Sequence, residues 1–462
     1  MDRVFDPAAH VIDMQKPHDA LFEFLSYAVN RGTDEISFFY RVDLGEKTIR
    51  FTETIGIPGL ASRLDTVPGE LTRRVLESLQ LMLGISYWKI YCPRNIRTGV
   101  IKLSKSQAQF WNTVYTKGLG EFFYRNSIDP RGLIQFPYDV KTRSTKGPLL
   151  SVAGSILQLG GGKDSVVTGE LLKECNMPFV PVSLNTSAVQ REVAGVMGKS
   201  VLDVTRVIDP DLFVLNKGIG VYNGHIPISA VYAFVDVLVA VLYGYQYIIA
   251  SNEESANFGN ILYHGEEINH QWSKSWEFEQ LFQQYIIDNL TPSISYFSML
   301  RPLKEAAIVK MFVRYKQYFS VFTSCNANFR INYPQIGSRW CGECPKCAFV
   351  FLLLSAFMAK NEVFNIFQKN LFSDSGLFSL YEELLGLARF KPFECVGTPE
   401  ESQWAFWRVM ENHEYDTDAI VKLLRNALPF RVNDMNMLEK ELFEKRGVHA
   451  IPKSFASVLS RL

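Results

Sequence analysis

Ile156-Leu157-Gln158-Leu159-Gly160-Gly161-Gly162-Lys163-Asp164-Ser165 runs an apolar strand into a triple-glycine turn and then into an amphipathic helix, and it constrains the fold more than any other stretch of the chain. Three glycines let the backbone turn sharply and bring its N–H groups close to a polyanion. The helix that follows adds free amides and the positive end of its dipole, so the expected guest is a phosphate. Val166, Val167, Leu171 and Leu172 recur at helical spacing, and Phe179-Val180-Pro181-Val182-Ser183-Leu184 reads as the next buried strand. The unit is therefore β-loop-α-β, the building block of an α/β fold with a doubly wound, mostly parallel sheet.

Spacing excludes two common phosphate loops. A Walker A loop needs glycine where Leu157 stands and Ser or Thr where Asp164 stands, and a dinucleotide fingerprint needs glycine at Ser165. The loop instead resembles the Ser-Gly-Gly-x-Asp-Ser pyrophosphate loop of the PP-loop ATP pyrophosphatases, with Gly161, Gly162, Asp164 and Ser165 matching and Gly160 replacing the first serine. The resemblance implies an enzyme that splits ATP into AMP and pyrophosphate, with Gly160, Gly161, Gly162, Lys163, Asp164 and Ser165 as nucleotide-binding residues and Mg²⁺ accompanying the triphosphate.

At 462 residues the length suggests about three domains, and 47% apolar residues suffice for substantial cores. Residues 1–148 read as an α+β domain that recognises substrate, 149–320 as the nucleotide core, and 321–462 as a cysteine site followed by helices. The polar stretch 141–148 has the character of a linker. The 48 basic residues balance 48 acidic ones, so charge does not point to a nucleic-acid partner. Residues 1–7 lack the apolar core of a secretory signal, which predicts a cytoplasmic address. The apolar stretch 226–250 is interrupted by Asp236, Gly244 and Gln246 and divides into a helix ending near Tyr243 and a strand at Tyr247-Ile248-Ile249-Ala250. The stretch 348–359 is too short to span a bilayer, so no membrane insertion is expected.

Cys325 and Cys341-Gly342-Glu343-Cys344-Pro345-Lys346-Cys347 form the second strong signal. Two-residue spacings let successive sulfurs face one ion, and four thiolates suit a structural Zn²⁺ with no open position for substrate. Redox chemistry at a C-x-x-C and free buried thiols are the alternatives. Asn252, Glu253 and Glu254 follow a predicted buried strand, which places them at a carboxyl end of the sheet, where their side chains would hold Mg²⁺ or orient a ligand. If 269–279 is helical, His270 and Lys274 share one face. Cys395 precedes Thr398-Pro399-Glu400-Glu401, a capping box with proline at its first helical position, and a helix start depresses a thiol pKa. Cys395, His270 and His225 are all candidates for proton transfer, histidine because it titrates near neutrality. The basic run 89–97 reads equally as a diphosphate contact or as scattered surface charge.

Ser251-Asn252-Glu253, Asn269-His270-Gln271, Ser273-Lys274-Ser275, Trp340-Cys341-Gly342-Glu343-Cys344-Pro345-Lys346-Cys347 and Lys391-Pro392-Phe393-Glu394-Cys395-Val396-Gly397-Thr398, taken with the phosphate loop, resemble the MurL family over about residues 150–410. That resemblance implies an ATP-dependent epimerase that inverts the terminal L-Glu of UDP-MurNAc-L-Ala-L-Glu to D-Glu through an acyl-adenylate, for peptidoglycan precursors. Asp164, His270, Lys274 and Cys395 are the candidate catalytic residues for that chemistry. The other readings are a PP-loop ligase of the 7-deazaguanine type, whose members carry a similar cysteine arrangement, and an adenine-nucleotide-binding module without turnover.

Overall fold

The computed structural model describes residues 20–462 except 219, 330–336, 389, 429–430 and 446. Residues 1–7, on which the cytoplasmic expectation rests, lie outside the described residues. The described residues contain eleven strands: β1 Leu21–Asn30, β2 Glu35–Asp43, β3 Thr48–Gly56, β4 Asn95–Arg97, β5 Ser155–Gln158, β6 Val180–Leu184, β7 Leu202–Val207, β8 Tyr247–Ala250, β9 Ile261–Tyr263, β10 Glu266–Ile268 and β11 Ser295–Ser298. Nine form one sheet in the order β11-β8-β5-β6-β7-β3-β2-β1-β4, and β9 and β10 make a separate hairpin. Pairing is parallel from β11 through β7 and antiparallel from β7 through β3 and β2 to β1, with β4 parallel to β1.

The fold is thus mixed α/β with a large, mostly parallel sheet. Alternate residues of the central strands enter two different apolar layers, as a two-residue side-chain period requires. Ile156, Ile248 and Tyr296 face the layer built with helix Ile228–Tyr243 and the N-terminal helices. Leu157, Ile249 and Phe297 face the layer built with helix Lys163–Glu174 and the C-terminal helices. The apolar stretch 226–250 resolves into helix Ile228–Tyr243 and β8, and 348–359 lies largely within helix Pro345–Ser355. Among the described residues, no helix is long and apolar enough to cross a membrane.

The N-terminal strands and the parallel strands β5 to β8 and β11 are joined edge to edge, because β3 pairs with β7 through Thr54↔Val207, Ile55↔Arg206 and Gly56↔Thr205. At this seam Glu53, in register with the buried Phe51 and Ile55, is fully buried and ion-paired with Arg206 at 2.6 Å. Arg206 also donates to Ser86 Oγ at 3.2 Å. The polar stretch 141–148 is bound to the core rather than loose: Arg74 donates to Thr145 O at 2.6 Å, and Pro148 O accepts from Thr291 Oγ1 at 2.7 Å.

Strand order reverses between β5 and β8. From β5 the chain moves outward to β6 and β7, then returns to β8 and β11 on the other side. Such a reversal opens a crevice beyond the carboxyl ends of the two strands. The glycine turn leaves β5 into this crevice, and the 251–260 loop leaves β8 beside it.

Removing one partner of the seam's ion pair strands the other charge in an apolar layer. Arg206→Leu should therefore lower unfolding stability by about 3–5 kcal/mol. The double replacement Glu53→Gln with Arg206→Met should recover most of that loss in denaturant titration.

Candidate functional site

Gly161 has φ +83°, and a Cβ there would stand 2.7 Å from Val189. A Cβ on Gly162 would stand 2.8 Å from Ser324 Oγ, so both positions require glycine because neighbouring elements close on the turn. Gly160 is exposed and faces open space. Gly162 caps helix Lys163–Glu174, and Ser165 Oγ donates to Gly162 O at 3.1 Å.

Lys163 does not reach into solvent. It is fully buried, its ammonium 2.5 Å from Asp164 and ion-paired with Glu305 at the head of helix Glu305–Phe312. Burial alone would lower its pKa, but Asp164, Glu305 and Glu253 together raise it. Glu253, also buried, is lifted to about 7, first by desolvation and then by Glu305 and Asp164. Two carboxylates that repel each other beside the glycine turn are a donor set suited to a divalent cation. The neighbouring Glu254 turns away from this group. It pairs with Lys304 at 3.2 Å and lines a cavity of about 520 Å³ with Ser255, Phe258, Thr398 and Leu438. Asn252 uses its carbonyl to accept from Ser298 Oγ at 2.6 Å, which anchors the loop to β11.

His270 and Lys274 are not one helical face. Trp272–Lys274 is a single 3₁₀ turn, and the α-helix begins only at Trp276, where Ser275 accepts from Phe278 N. The two side chains nevertheless meet, because both reach Cys395 from across the crevice. Lys274 Nζ lies 3.4 Å from Cys395 Sγ, and His270 hydrogen-bonds the same thiol. Cys395 falls to about 5. Burial opposes this, but Lys274, His270 and Lys346 outweigh it. The expected capping box is present, with Thr398 accepting from Glu401 N and Glu401 from Thr398 N. The thiolate, however, is stabilised by these three cations. Lys346, from helix Pro345–Ser355, also bonds Cys395 O, while Gln271 Nε2 donates to Val396 O at 3.2 Å and Asn260 Nδ2 to Pro392 O at 2.8 Å.

The residue that sequence reasoning missed is Glu121. It lies in helix Gly120–Arg125 and holds His270 Nδ1 at 2.5 Å. His270 rises to about 10: burial lowers it, and the bonds to Cys395 and Glu121 more than reverse that. His225, with its ring 4.5 Å from that of His270, falls to about 3 through burial and the charge on His270, so it is neutral. Cys395, His270 and Glu121 thus form a thiolate–imidazolium–carboxylate series, in which the acid orients the ring and the ring stabilises the thiolate. Ligand atoms of Glu121, His225 and His270 lie within 4.8 Å of one another, as a metal site would need. Arg125, 2.5 Å from Glu121, and the buried Lys89 near His225 set positive charge against a cation there. Lys89, from the basic run 89–97, donates to Gly224 O at 3.0 Å and is not surface charge.

Cys325, Cys341, Cys344 and Cys347 converge, with sulfurs within 4.8 Å of one another. Cys344 and Cys341 lie 3.5 and 3.6 Å from Cys347, close to the roughly 3.7 Å between sulfurs that each stand about 2.3 Å from a tetrahedral zinc. Gly342 at φ +77° makes the turn between the first pair, and backbone N–H groups of Glu343 and Cys344 point at Cys341 Sγ at 3.4 Å. The segment before Cys325 touches the glycine turn, where Thr323 N donates to Gly161 O at 3.2 Å.

Comparison with known proteins places these features in context. A family profile described as the MurL N-terminal domain matches residues 14–299, and one described as the MurL C-terminal domain matches 321–439. Three proteins named UDP-N-acetyl-alpha-D-muramoyl-L-alanyl-L-glutamate epimerase are similar over most of their length. The one from Xanthomonas oryzae pv. oryzae is 36% identical over 93% of this chain and 95% of its own. The one from a Micromonospora species is 36% identical over 95% and 98%, and the one from Salinispora tropica 37% over 88% and 89%.

Because Cys395 is ionised above about pH 5, its alkylation, followed by peptide mass spectrometry, should stay fast as pH falls from 8 and drop only near 5. Lys274→Met and Glu121→Gln should each move that midpoint up toward the ordinary thiol value of about 8.5. A midpoint near 8.5 in the unaltered protein would remove the thiolate from the account.

Proposed function

The chain belongs to the MurL family, and from that premise we propose that its crevice activates and inverts a glutamyl α-carbon. It is an amino-acid epimerase, and its substrate is UDP-MurNAc-L-Ala-L-Glu, a small molecule of peptidoglycan precursor synthesis. The observation that carries the mechanism is the Cys395 thiolate held by Lys274 and His270 beside the phosphate loop.

An α-hydrogen beside an ionised carboxylate is very weakly acidic, because its removal puts two negative charges on adjacent atoms. Transfer of AMP from ATP to that carboxylate makes a mixed anhydride, cancels one charge and lets the carbanion delocalise as an enolate. In this reading the core is of the PP-loop type: the amides of Gly160, Gly161, Gly162 and the start of helix Lys163–Glu174 receive the departing pyrophosphate. Asp164 and Glu253 would hold Mg²⁺, which supplies charge neutralisation on the triphosphate. Lys163 keeps those two carboxylates and Glu305 together. Cys395 removes the α-proton, His270 and Lys274 stabilise its thiolate, and the N-terminal segment contributes Glu121 and helps recognise substrate. Hydrolysis of the anhydride then releases the D-Glu product and AMP. Cys325, Cys341, Cys344 and Cys347 would hold a structural Zn²⁺, which would fasten the helix that carries Lys346 to the Gly161 turn.

Incubation with UDP-MurNAc-L-Ala-L-Glu and ATP in deuterated water should yield D-Glu with deuterium at Cα, together with AMP and pyrophosphate. Release of ADP and phosphate would contradict adenylyl transfer. Cys395→Ser should slow inversion by about 10²–10⁴-fold, the range of one proton-transfer group, while AMP formation persists. For the metal, Cys344→Ser should lower zinc content and thermal stability together, since binding energy available only in the ordered state is lost. Substoichiometric zinc in carefully purified protein would refute the site.

A further inference from the structure

Lys274, Lys346 and Lys391 lie around the Cys395 thiol and Lys163 at the glycine turn beside the same acids, and three of the four are engaged. Lys163 is held by Asp164 and Glu305, Lys274 by Cys395, and Lys346 by Cys395 O and, at 3.5 Å, Glu305. Lys391 differs. The residue is only 5% exposed, yet among the described residues its Nζ finds no hydrogen-bond partner. Burying an ammonium group without an acceptor costs free energy that most buried polar groups avoid.

Its setting shows what surrounds that amine. Lys391 lies four residues before Cys395 on one segment, which Asn260 Nδ2 pins at Lys391 O (3.3 Å) and Pro392 O (2.8 Å). The charged groups facing it are Glu401 of helix Pro399–Glu411, Cys395 of its own segment, Glu253 of the loop after β8, and Glu305 of helix Glu305–Phe312. Phe258 presents its ring 5.4 Å away. Glu305 is committed to Lys163 and Lys346, and Glu401 to the backbone N–H groups of Thr398 and Ala306. Neither acid closes on Lys391, and the amine shares the crevice with Cys395 without bonding to it.

We propose that Lys391 is the second proton-transfer group of the epimerisation, serving the face of the substrate α-carbon opposite the one served by Cys395. This rests on the reading of Cys395 as the first such group. In the L to D or D to L direction, one group takes the α-hydrogen as a proton and leaves its electron pair on carbon, delocalised into the activated carboxyl. The other gives a proton to that pair from the opposite face. With the thiolate as base, the step ends with a thiol and a neutral amine. Net charge is unchanged, and exchange with water restores both groups. Burial supports this role by lowering Lys391 to about 8, whereas Lys163 and Lys274 are pushed above the ordinary lysine value by the acids and thiolate they touch.

The test uses the full-length protein with ATP and either epimer of the UDP-linked dipeptide in deuterated water. The unaltered enzyme should invert both epimers and incorporate deuterium from both. Lys391→Met should lower inversion at least about 100-fold, keep forming AMP, and exchange the α-hydrogen of one epimer only, with retention of configuration. Lys391→Arg keeps the charge but holds its proton too tightly to give it up, so it should show the same one-sided exchange, and it also serves as the readout should the Met variant not fold. Inversion by the Arg variant within about tenfold of the unaltered enzyme would overturn the proposal in favour of a purely electrostatic role. Exchange from both epimers by an AMP-forming Met variant would overturn it as well. An unaltered enzyme that neither inverts nor exchanges would instead remove the epimerase reading on which the proposal stands.

Discussion

A fully buried ammonium cannot stand alone, and the position of Lys163 dictates much of what lies around the glycine turn. Its charge is met by Asp164 beside it in sequence and by Glu305 from 142 residues away. Glu305 is held at about 2: burial would raise it, but Lys163, Lys346 and Lys274 prevail. Each added charge then needs its own partner, so the ions form an alternating network. That network joins the turn after β5, the loop after β8, the head of helix Glu305–Phe312 and helix Pro345–Ser355. The crevice at the strand-order reversal is consequently lined by charges whose positions are mutually determined, which gives a site little reorganisation to perform when charge develops in it.

The thiolate is the second product of the same economy of charge. Cys395 sits where Lys274 and His270, from one segment, and Lys346, from another, converge, and a third, distant segment supplies Glu121 to hold the imidazole. Glu401 adds a further tie, because its two oxygens accept from Thr398 N and Ala306 N and so join the starts of two helices. The cysteine cluster closes the arrangement. Through Thr323 it touches Gly161 O, and through helix Pro345–Ser355 it delivers Lys346 to Cys395. Disturbing any of these contacts therefore changes the electrostatics of the thiol as well as local packing.

Local periodicity and turn chemistry were legible in the chain because they depend on neighbours in sequence. The glycine turn between β5 and helix Lys163–Glu174, the split of 226–250 into helix and strand, the Thr398–Glu401 capping box and the convergence of four cysteines are all short-range patterns, and the structure contains each of them. The same limit explains what was illegible. Glu121 reads as half of an ordinary i,i+4 pair with Arg125, which it also is, and only the fold brings it to His270. Glu253 and Glu254 look equivalent in sequence, yet one is buried against Lys163's acids and the other pairs outward with Lys304. His270 and Lys274 were matched by a helical spacing that the backbone does not adopt. They meet because Cys395 lies between their two ends.

The sequence by itself determined that a glycine turn follows a buried strand, that two apolar stretches are core rather than membrane, and that four thiols share one site, since each follows from spacing, side-chain volume or backbone freedom within a few residues. Only the tertiary structure decided that β3 extends the parallel sheet through the Glu53–Arg206 seam, that Glu121 belongs with Cys395, and that Lys391 is buried without a hydrogen-bond partner among the described residues. The physical reason is that charge and burial are properties of three-dimensional neighbourhoods: a carboxylate, an imidazole or an amine acquires its working pKa from groups a hundred or more residues away, and no local pattern encodes that distance.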